Sequence, residues 1–349
     1  MLPIKQNPET LATKTHALGL ALLAAACLSG LSCRADEPAH GLAFQEQAFE
    51  RSSVWLDMDP AIGEPLHDVD DGWAFVHARA ALGGRLVGLS IGYGNIGDLD
   101  RQEQITGELQ GLFPALPPLP VHRGAERAED LDRETAASAA LAERLGYEHL
   151  TVLALGRLTT IARVIAQHPE LHARIDRVVA IGGRRLESEP TVGKDARILP
   201  DSNLAADMAS VRVVLESGVP FTLAPTDLAL GVVLEAADLD ALELRGGPAR
   251  FLAQRSRDWL ELWTAVLGAR GFSPFDSLAT LLVASPEMVG CEILPGAIRD
   301  LPDRSFRGTG LPIPRLVASA ALDSPYRVQL CTTTNADAKR AFLAALPGD

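Results

Sequence analysis

The stretch VWLDMDPAIGEPLHDVDDGWAF, residues 54–75, joins a short apolar run to six acidic residues and then to the start of a helical pattern. Val54 to Leu56 has the length and apolar character of a buried strand, and the residues from Asp70 onward have helical spacing. Crowded carboxylates repel one another and lose hydration on burial, so they persist only if they are solvated, protonated or bound to a cation. The stretch therefore predicts a strand, a polar loop and a helix, with a metal site as one explanation of the acidic residues.

The same alternation of short apolar runs and longer amphipathic runs continues along the chain. Further strands are predicted at 86–91, 150–154, 178–181 and 221–224, and helices at 70–82, 101–112, 135–145, 158–167 and 205–217. A helix-rich segment at 248–267 and helices at 277–284 and 336–346 follow. This order predicts an α/β fold, with a largely parallel central sheet, helices on both faces and a single domain over residues 51–349.

Composition and charge exclude two classes of protein. The chain has 349 residues, of which 47% are hydrophobic and 22% charged, so it can bury a large core and is not a disordered protein. Its formal net charge is −13, with 45 Asp and Glu against 32 Lys and Arg. No basic run offers partners to a phosphate backbone, so polymeric nucleic acid is not an expected ligand.

The N-terminus has the pattern of an export signal. Lys5 and Lys14 precede the apolar run ALGLALLAAAC at 17–27, which is short for a bilayer span and has the length of a signal-peptide core. Cys27 and Cys33 follow small residues, as in a bacterial lipoprotein cleavage box. We predict a signal peptide at 1–33 and a polar tether at 34–50, so that the protein is periplasmic or extracellular. The alternatives are membrane attachment through lipid at Cys27 and simple cleavage.

Two further cysteines, Cys291 and Cys331, lie in the mature part of the chain. An oxidising compartment would permit a disulfide between them, and two buried thiols are the alternative, because sequence alone does not show whether they are close enough to pair.

Polar clusters follow each of the five predicted strands. Ligands of such sheets bind at the carboxyl ends of the parallel strands, so these clusters are expected to converge on one mouth. Each cluster also has a structural explanation: Asp70 and Asp71 suit a helix N-terminus, Asn95 suits a turn, and Asp276 suits a helix cap. Oxygen ligands without a His or Cys cluster favour calcium or magnesium over zinc.

The ordered motifs resemble the inosine/uridine-preferring nucleoside hydrolase family. DMDP…DVDD is similar to the family's D-x-D-P-G-x-D-D, and five later segments match its remaining blocks in order: IGYGN (91–95), ALGRLTTIA (154–162), AIGG (180–183), DSNLAAD (201–207) and FDSLA (275–279). The resemblance covers about residues 51 to 347 and implies the family's fold, with hydrolysis of the N-glycosidic bond of a ribonucleoside as the expected activity.

The resemblance implies a role for each matching residue. Asp59, Asp71, Asp276 and the backbone carbonyl of Leu155 would bind one Ca²⁺, and Asp59 would also accept a proton from the attacking water. Ribose hydroxyls would be bound by Asp70, Asn95, Asn203 and Asp201, where Asp201 replaces the family's usual Glu. Asp57 would support the loop through hydrogen bonds.

Two positions depart from the family pattern. The compact P-G-x-D-D is extended to PAIGEPLHDVDD, which could bring His67 into the site, and Phe275 replaces the His that helps to protonate the leaving base. A phenyl ring donates no proton, so solvent, aromatic stacking, His67 or a better leaving group must compensate. Trp259, Trp263 and Phe272 either flank the base or belong to the core.

The expected function is calcium-dependent cleavage of a nucleoside or a related N-riboside into base and ribose. One alternative is a non-catalytic exported protein of the same fold that binds a nucleoside or sugar. A second is a magnesium-dependent phosphohydrolase, which the absence of a phosphate-binding glycine loop with Lys disfavours. The sequence leaves open whether the chain forms a homo-oligomer.

Overall fold

The computed structural model describes residues 52–306 and 308–349. The predicted signal peptide and tether, together with Cys27 and Cys33, lie outside the described residues. No helix among the described residues is both long enough and apolar enough to span a bilayer.

Twelve strands and eleven α-helices make up the described part of the chain. The strands are β1 (Ser53–Met58), β2 (Leu86–Ile91), β3 (Val121–Arg123), β4 (Leu150–Ala154), β5 (Ile175–Ile181), β6 (Arg184–Arg185), β7 (Thr191–Val192), β8 (Arg197–Ile198), β9 (Phe221–Ala224), β10 (Val289–Pro302), β11 (Pro312–Ala318) and β12 (Arg327–Thr334). The helices are α1 (Asp70–Leu82), α2 (Leu99–Gly111), α3 (Ala136–Leu145), α4 (Thr159–Gln167), α5 (Met208–Glu216), α6 (Thr226–Ala229), α7 (Ala236–Arg245), α8 (Gly247–Arg255), α9 (Arg257–Ala265), α10 (Phe275–Ala284) and α11 (Ala338–Ala345).

Ten of the strands form one sheet in the order β3-β2-β1-β4-β5-β9-β12-β10-β11-β6. The neighbours from β3 to β12 pair in parallel, whereas β10 runs antiparallel to both β12 and β11. The chain builds outward from β1 through β2 and β3, then returns to the other side of β1 with β4. This change of direction is a topological switch point, where α/β sheets bind ligands.

Alternate residues of β1 point into two separate cores. Val54, Leu56 and Met58 belong to the hydrophobic cluster on one face of the sheet, and Trp55 belongs to the cluster on the other. Successive side chains of a strand point to opposite faces, so both faces must be covered by apolar residues. The predicted fold, a largely parallel sheet with helices on both faces, is confirmed.

The five strands and most of the helices predicted from periodicity are present, and their bounds shift by a few residues at most. The helix-rich segment at 248–267 is two helices, α8 and α9, which meet at Ser256. Ser256 is fully buried and its hydroxyl accepts a hydrogen bond from Trp73 Nε1 at 2.8 Å. The antiparallel strands β10 to β12 were not predicted, because proline and glycine interrupt β10 and much of that strand is exposed.

Cys291 and Cys331 form a disulfide. They lie directly opposite each other in the antiparallel pair β10 and β12. Of the two alternatives that the sequence left open, the structure therefore shows the disulfide.

His77 is a buried titratable residue in α1 whose protonation should make stability depend on pH. Its Nδ1 lies 2.7 Å from Thr280 Oγ1, and burial lowers its pKa to about 4. As pH falls, the unfolded chain takes up a proton near the ordinary value of 6.5, whereas the folded chain does not. We expect this residue to reduce the free energy of unfolding by about 2 kcal/mol between pH 7.5 and pH 5.

Urea unfolding of the wild type and of His77→Gln at both pH values measures that contribution. Between pH 7.5 and pH 5, the free energy of unfolding should fall more for the wild type than for His77→Gln. A difference that is the same at both pH values would show that His77 is not held neutral by burial.

Candidate active site

A cavity of about 580 Å³ opens at the carboxyl ends of the parallel strands. Its floor is acidic, because it is lined by the carboxylates of Asp59, Asp68, Asp70 and Asp276. Asp59 follows β1 directly, so the floor lies at the topological switch point. The convergence expected from the sequence is confirmed, since each of the five polar clusters contributes to the lining: Asp59, Asn95, Leu155, Gly182 and Thr226.

Two helix N-termini meet this end of β1. Asp70 and Asp71 are the first two residues of α1, and Asp276 is the second residue of α10. Neither helix has a side-chain capping bond, so capping does not account for these carboxylates. The positive ends of the two helix dipoles favour negative charge at this position.

Asp70 and Asp71 each accept one hydrogen bond from a backbone amide at this site. Asp59 N–H donates to Asp71 Oδ1 at 3.1 Å, and Phe275 N–H donates to Asp70 Oδ2 at 3.3 Å. The remaining oxygens, Asp70 Oδ1 and Asp71 Oδ2, are buried and have no hydrogen-bond partner among the described residues. Buried oxygens without a partner carry a desolvation cost that a bound cation would offset.

Burial and mutual repulsion raise the pKa of every carboxyl in this group. Asp59, Asp70, Asp71 and Asp276 are between 1% and 6% exposed. The pKa values of Asp59 and Asp276 lie well above the ordinary range, first because of burial and then because of the charge on Asp71, and burial raises the pKa of Asp71 to about 7. All four cannot be ionised together near neutral pH unless positive charge is supplied.

The donor types suit a hard divalent cation, with Asp59, Asp71, Asp276 and the Leu155 carbonyl as the oxygen donors. Within residues 52–306 and 308–349, however, no group of three or more His, Cys, Asp and Glu side chains is arranged so that it could hold a metal ion. Three of the donors already accept hydrogen bonds from the chain: Asp71 Oδ1 from Asp59 N–H, Asp59 Oδ2 from Asn95 N–H at 2.8 Å, and the Leu155 carbonyl from Asn203 Nδ2 at 2.6 Å. Binding of a metal ion would replace these hydrogen bonds with metal–oxygen bonds.

The residues assigned to ribose do not all present free polar groups to the cavity. Asn95 and Asn203 line it. Asp201 also lines it, but its Oδ2 accepts from Gly183 N–H at 3.0 Å and its Oδ1 from Leu204 N–H at 2.9 Å. The carboxylate of Asp201 thus holds the backbone of its own loop and of the segment after β5.

Asp57 lies behind the floor, within β1. It accepts a hydrogen bond from Ser90 Oγ, which in turn accepts from Trp55 Nε1 at 2.8 Å. Burial raises the pKa of Asp57 to about 7. It is absent from the lining of the large cavity, in keeping with a supporting position.

Of the charged residues around Asp59, Asp68 and Arg157 were not predicted. Asp68 accepts from Asn95 Nδ2 at 2.5 Å, and the Arg157 guanidinium lies 4.7 Å from the centre of the Tyr93 ring, near Asp59. Asp68 belongs to the insertion that departs from the family pattern, and this departure was the available signal. Arg157 occupies a variable position of the block ALGRLTTIA, which gave no signal.

One wall of the cavity is aromatic. Trp259 and Trp263 of α9 line it together with Phe275, whose ring centre is 6.1 Å from that of Trp263. Phe272 is fully buried against Trp73 and belongs to the core. His67 is not among the lining residues, and its Nδ1 lies 3.0 Å from the Pro65 carbonyl oxygen.

Gly94 provides a direct test of whether Asp59 must occupy its observed position. A Cβ atom on Gly94 would lie 1.4 Å from Asp59 Oδ2 and 2.9 Å from Arg157 Nη1. We expect Gly94→Ala to displace the Asp59 carboxylate and to lower the hydrolytic rate by at least roughly tenfold, because small displacements of catalytic groups are costly. Steady-state kinetics with a ribonucleoside measures the effect.

Gly97→Ala is the matched control, since a Cβ atom there would meet no heavy atom within 4 Å. Equal rates for Gly94→Ala and Gly97→Ala would mean that the position of Asp59 does not matter.

Comparison with known proteins agrees with this geometry. The family model for inosine-uridine preferring nucleoside hydrolases matches residues 54–339. The pyrimidine-specific ribonucleoside hydrolase RihA of Salmonella agona is 29% identical over 105 residues, which are 30% of this chain and 32% of that protein. RihA of Klebsiella pneumoniae is 28% identical over 116 residues, which are 33% and 35% of the two chains. The aligned region thus spans about a third of these relatives.

Solved structures share the fold over most of the chain. The plant nucleoside hydrolase PpNRh1 superposes with a TM-score of 0.65 at 16% identity, covering 84% of this chain and 97% of that one. The purine-preferring ribonucleoside hydrolase from Gardnerella vaginalis gives a TM-score of 0.66 at 17% identity, covering 84% and 98%. Because the family model covers most of the chain, including the acidic floor of the cavity, this protein belongs to the inosine-uridine preferring nucleoside hydrolase family.

Proposed function

We propose that this protein hydrolyses the N-glycosidic bond of a ribonucleoside or a related N-riboside and releases the base and ribose, with Ca²⁺ as its cofactor. The observation that carries the proposal is the convergence of Asp59, Asp70, Asp71 and Asp276 beneath one cavity at the switch point of the sheet. Family membership supports the reaction class, and members of this family generally bind a metal.

The residues assigned to the site have defined tasks in this reaction. Asp59 accepts a proton from the water that attacks the anomeric carbon, and attack from one face gives inversion at an oxocarbenium-like transition state. Asp70, Asn95 and Asn203 accept from or donate to the ribose hydroxyls and orient the sugar. Asp57 keeps β1 and its loop in place through Ser90. Calcium held by Asp59, Asp71, Asp276 and the Leu155 carbonyl would lower the pKa of the water.

The test is turnover of a nucleoside panel by the purified protein. Metal is removed with a chelator, Ca²⁺ or Mg²⁺ is restored, and free base and reducing sugar are measured separately. We expect base release that needs Ca²⁺. Tight binding of a nucleoside without turnover would support the non-catalytic alternative, and release of phosphate without base would support a phosphohydrolase.

Asp276 is expected to couple calcium binding to thermal stability. A ligand that binds only the folded state stabilises it by about 2.7 kcal/mol at a hundred times its Kd. Calcium should therefore raise the melting temperature of the wild type, and Asp276→Asn should lose most of that increase. Scanning calorimetry with and without Ca²⁺ measures both.

Asp300→Asn, at an exposed position in β10, is the control for the loss of one negative charge. If Asp276→Asn kept the full calcium-induced increase, Asp276 would not be a ligand.

We also propose that the protein is exported. The signal-like N-terminus supports this, and so does the cross-strand disulfide, because disulfides persist mainly in oxidising compartments. Cell fractionation followed by mass analysis of the mature N-terminus tests the proposal and shows whether Cys27 carries lipid. Recovery of the uncleaved chain in the cytosol, with Cys291 and Cys331 reduced, would contradict export.

A further inference from the structure

The wall of the cavity beyond the ribose residues carries three arginines. Arg184 begins β6, Arg315 lies in β11, and Arg304 lies in the loop between β10 and β11. β6 pairs with β11, which brings these distant segments of the chain together. All three arginines line the same cavity as the acidic floor.

This wall has more positive than negative charge. Arg184 Nη1 lies 3.2 Å from Glu189 Oε1, Arg304 Nη1 lies 3.0 Å from Glu189 Oε2, and Arg315 Nη2 lies 2.9 Å from Asp303 Oδ1. Three guanidiniums thus share two carboxylates. The side chains of Arg184 and Arg315 are only 18% and 13% exposed. Arg304 is 63% exposed, so the third guanidinium is open to solvent and an anionic partner can reach it.

Glu189 shows what this wall can bind. One oxygen of its carboxylate contacts Arg184 and the other contacts Arg304, so the two guanidiniums are placed to share a single anion that has two or more oxygens. A guanidinium has five N–H donors, and among the described residues Arg184 contacts only Glu189 and the Ser188 carbonyl. Donors therefore remain for a ligand. The Glu189 side chain is 27% exposed at the cavity, where a ligand can compete with it.

Asp201 connects the wall to the region assigned to the sugar. The resemblance places Asp201 among the ribose-binding residues, and its carboxylate accepts from Gly183 N–H at 3.0 Å, one residue before Arg184. Both oxygens of Asp201 are bonded to backbone amides, whereas Arg184 keeps free donors. Asp201, Arg184 and the acidic floor line the same cavity, so the ribose residues and the wall face one ligand site.

We propose that the substrate is an N-riboside that carries an anionic group, phosphate or carboxylate, and that Arg184, Arg304 and Arg315 bind this group. The proposal rests on the proposed function, since it places the ribose on the acidic floor. A phosphate on the 5′-oxygen of the ribose and a carboxylate on the base are the two sources of this chemistry.

The test compares charged and neutral substrates in pairs. Base release from uridine 5′-monophosphate and from orotidine is measured against uridine with the calcium-loaded protein. Ribose 5-phosphate and ribose are compared by isothermal titration calorimetry, which does not need turnover. We expect at least one charged substrate to have a kcat/KM at least ten times that of uridine. A preference for the monophosphate places the anion on the 5′-oxygen, and a preference for orotidine places it on the base.

Variants identify the wall as the source of the preference. Arg184→Gln should reduce the preference roughly tenfold to a hundredfold, because charge-assisted hydrogen bonds are lost. Arg212→Gln, which removes an exposed arginine of α5, should leave it unchanged. Glu189→Gln should increase affinity for the charged ligand, because it removes the carboxylate that competes for the same guanidiniums.

The failure of this proposal is distinguishable from failure of the proposed function. Hydrolysis of uridine at the same kcat/KM as both charged substrates would overturn the anion site and leave the hydrolase intact. If no compound is hydrolysed, the proposed function fails, and calorimetry still decides the anion site: tighter binding of ribose 5-phosphate than of ribose, or of orotidine than of uridine, weakened in Arg184→Gln, supports it, and equal binding within both pairs overturns it.

Discussion

Asp59→Asn is expected to reduce the rate of ribonucleoside hydrolysis by at least roughly a hundredfold, which is the lower range of what a positioned general base contributes. The substitution nearly preserves the shape of the side chain and removes its ability to take a proton. It also removes negative charge from the proposed calcium site. We therefore expect weaker calcium binding in the same variant, measured by titration calorimetry beside steady-state kinetics.

The control for this variant is Asp132→Asn. It makes the same substitution at an exposed carboxylate outside the cavity. If Asp59→Asn lost calcium affinity but recovered its full rate at saturating calcium, Asp59 would be a ligand and not the base. A normal rate at all calcium concentrations would remove it from both roles.

The second large effect concerns leaving-group activation at Phe275. This ring lines the cavity beside Trp263 and cannot donate a proton, and His67 does not line the cavity. The rate should then depend on how easily the leaving group departs unaided. We expect p-nitrophenyl riboside to be hydrolysed at least roughly a hundred times faster than uridine or inosine, because general acids contribute about that much or more.

Phe275→His should raise the rate on uridine or inosine and change the rate on the nitrophenyl riboside little. Phe275→Leu is the matched control, since it alters the ring without supplying a proton. Comparable wild-type rates on natural nucleosides and the nitrophenyl riboside would show that another group already protonates the base. Orotidine should be included, because its leaving group differs from the uracil that uridine and its 5′-monophosphate release.

The acidic floor illustrates what could be predicted locally. Asp59, Asp70, Asp71 and Asp276 each follow a strand or begin a helix, and the carboxyl ends of parallel strands meet at one edge of a sheet. Asp59 and Leu155 directly follow β1 and β4, so their convergence followed from the order of secondary structure, whereas the family resemblance assigned Asp70, Asp71 and Asp276 to the same site.

The hydrogen-bond and charge partners of individual side chains could not be predicted from the order of secondary structure. Asp201 stands where the family usually has Glu and was assigned to ribose, yet its oxygens accept hydrogen bonds from backbone amides of its own loop and of Gly183. Arg157 lies beside Asp59 although its neighbours in sequence are apolar. Such choices depend on the distances and angles between loops, which periodicity does not specify.

The sequence by itself determined the parallel α/β sheet and the edge of it at which the acidic residues meet, because strand and helix periods and short connections are local properties of the chain. Only the tertiary structure decided that Cys291 pairs with Cys331, that Phe272 belongs to the core while Trp263 faces the cavity, and that Arg184, Arg304 and Arg315 form one wall. The antiparallel register of β10 with β12 and the pairing of β6 with β11 bring these residues together. These pairings are contacts between segments far apart in sequence, and their geometry depends on how the whole chain packs.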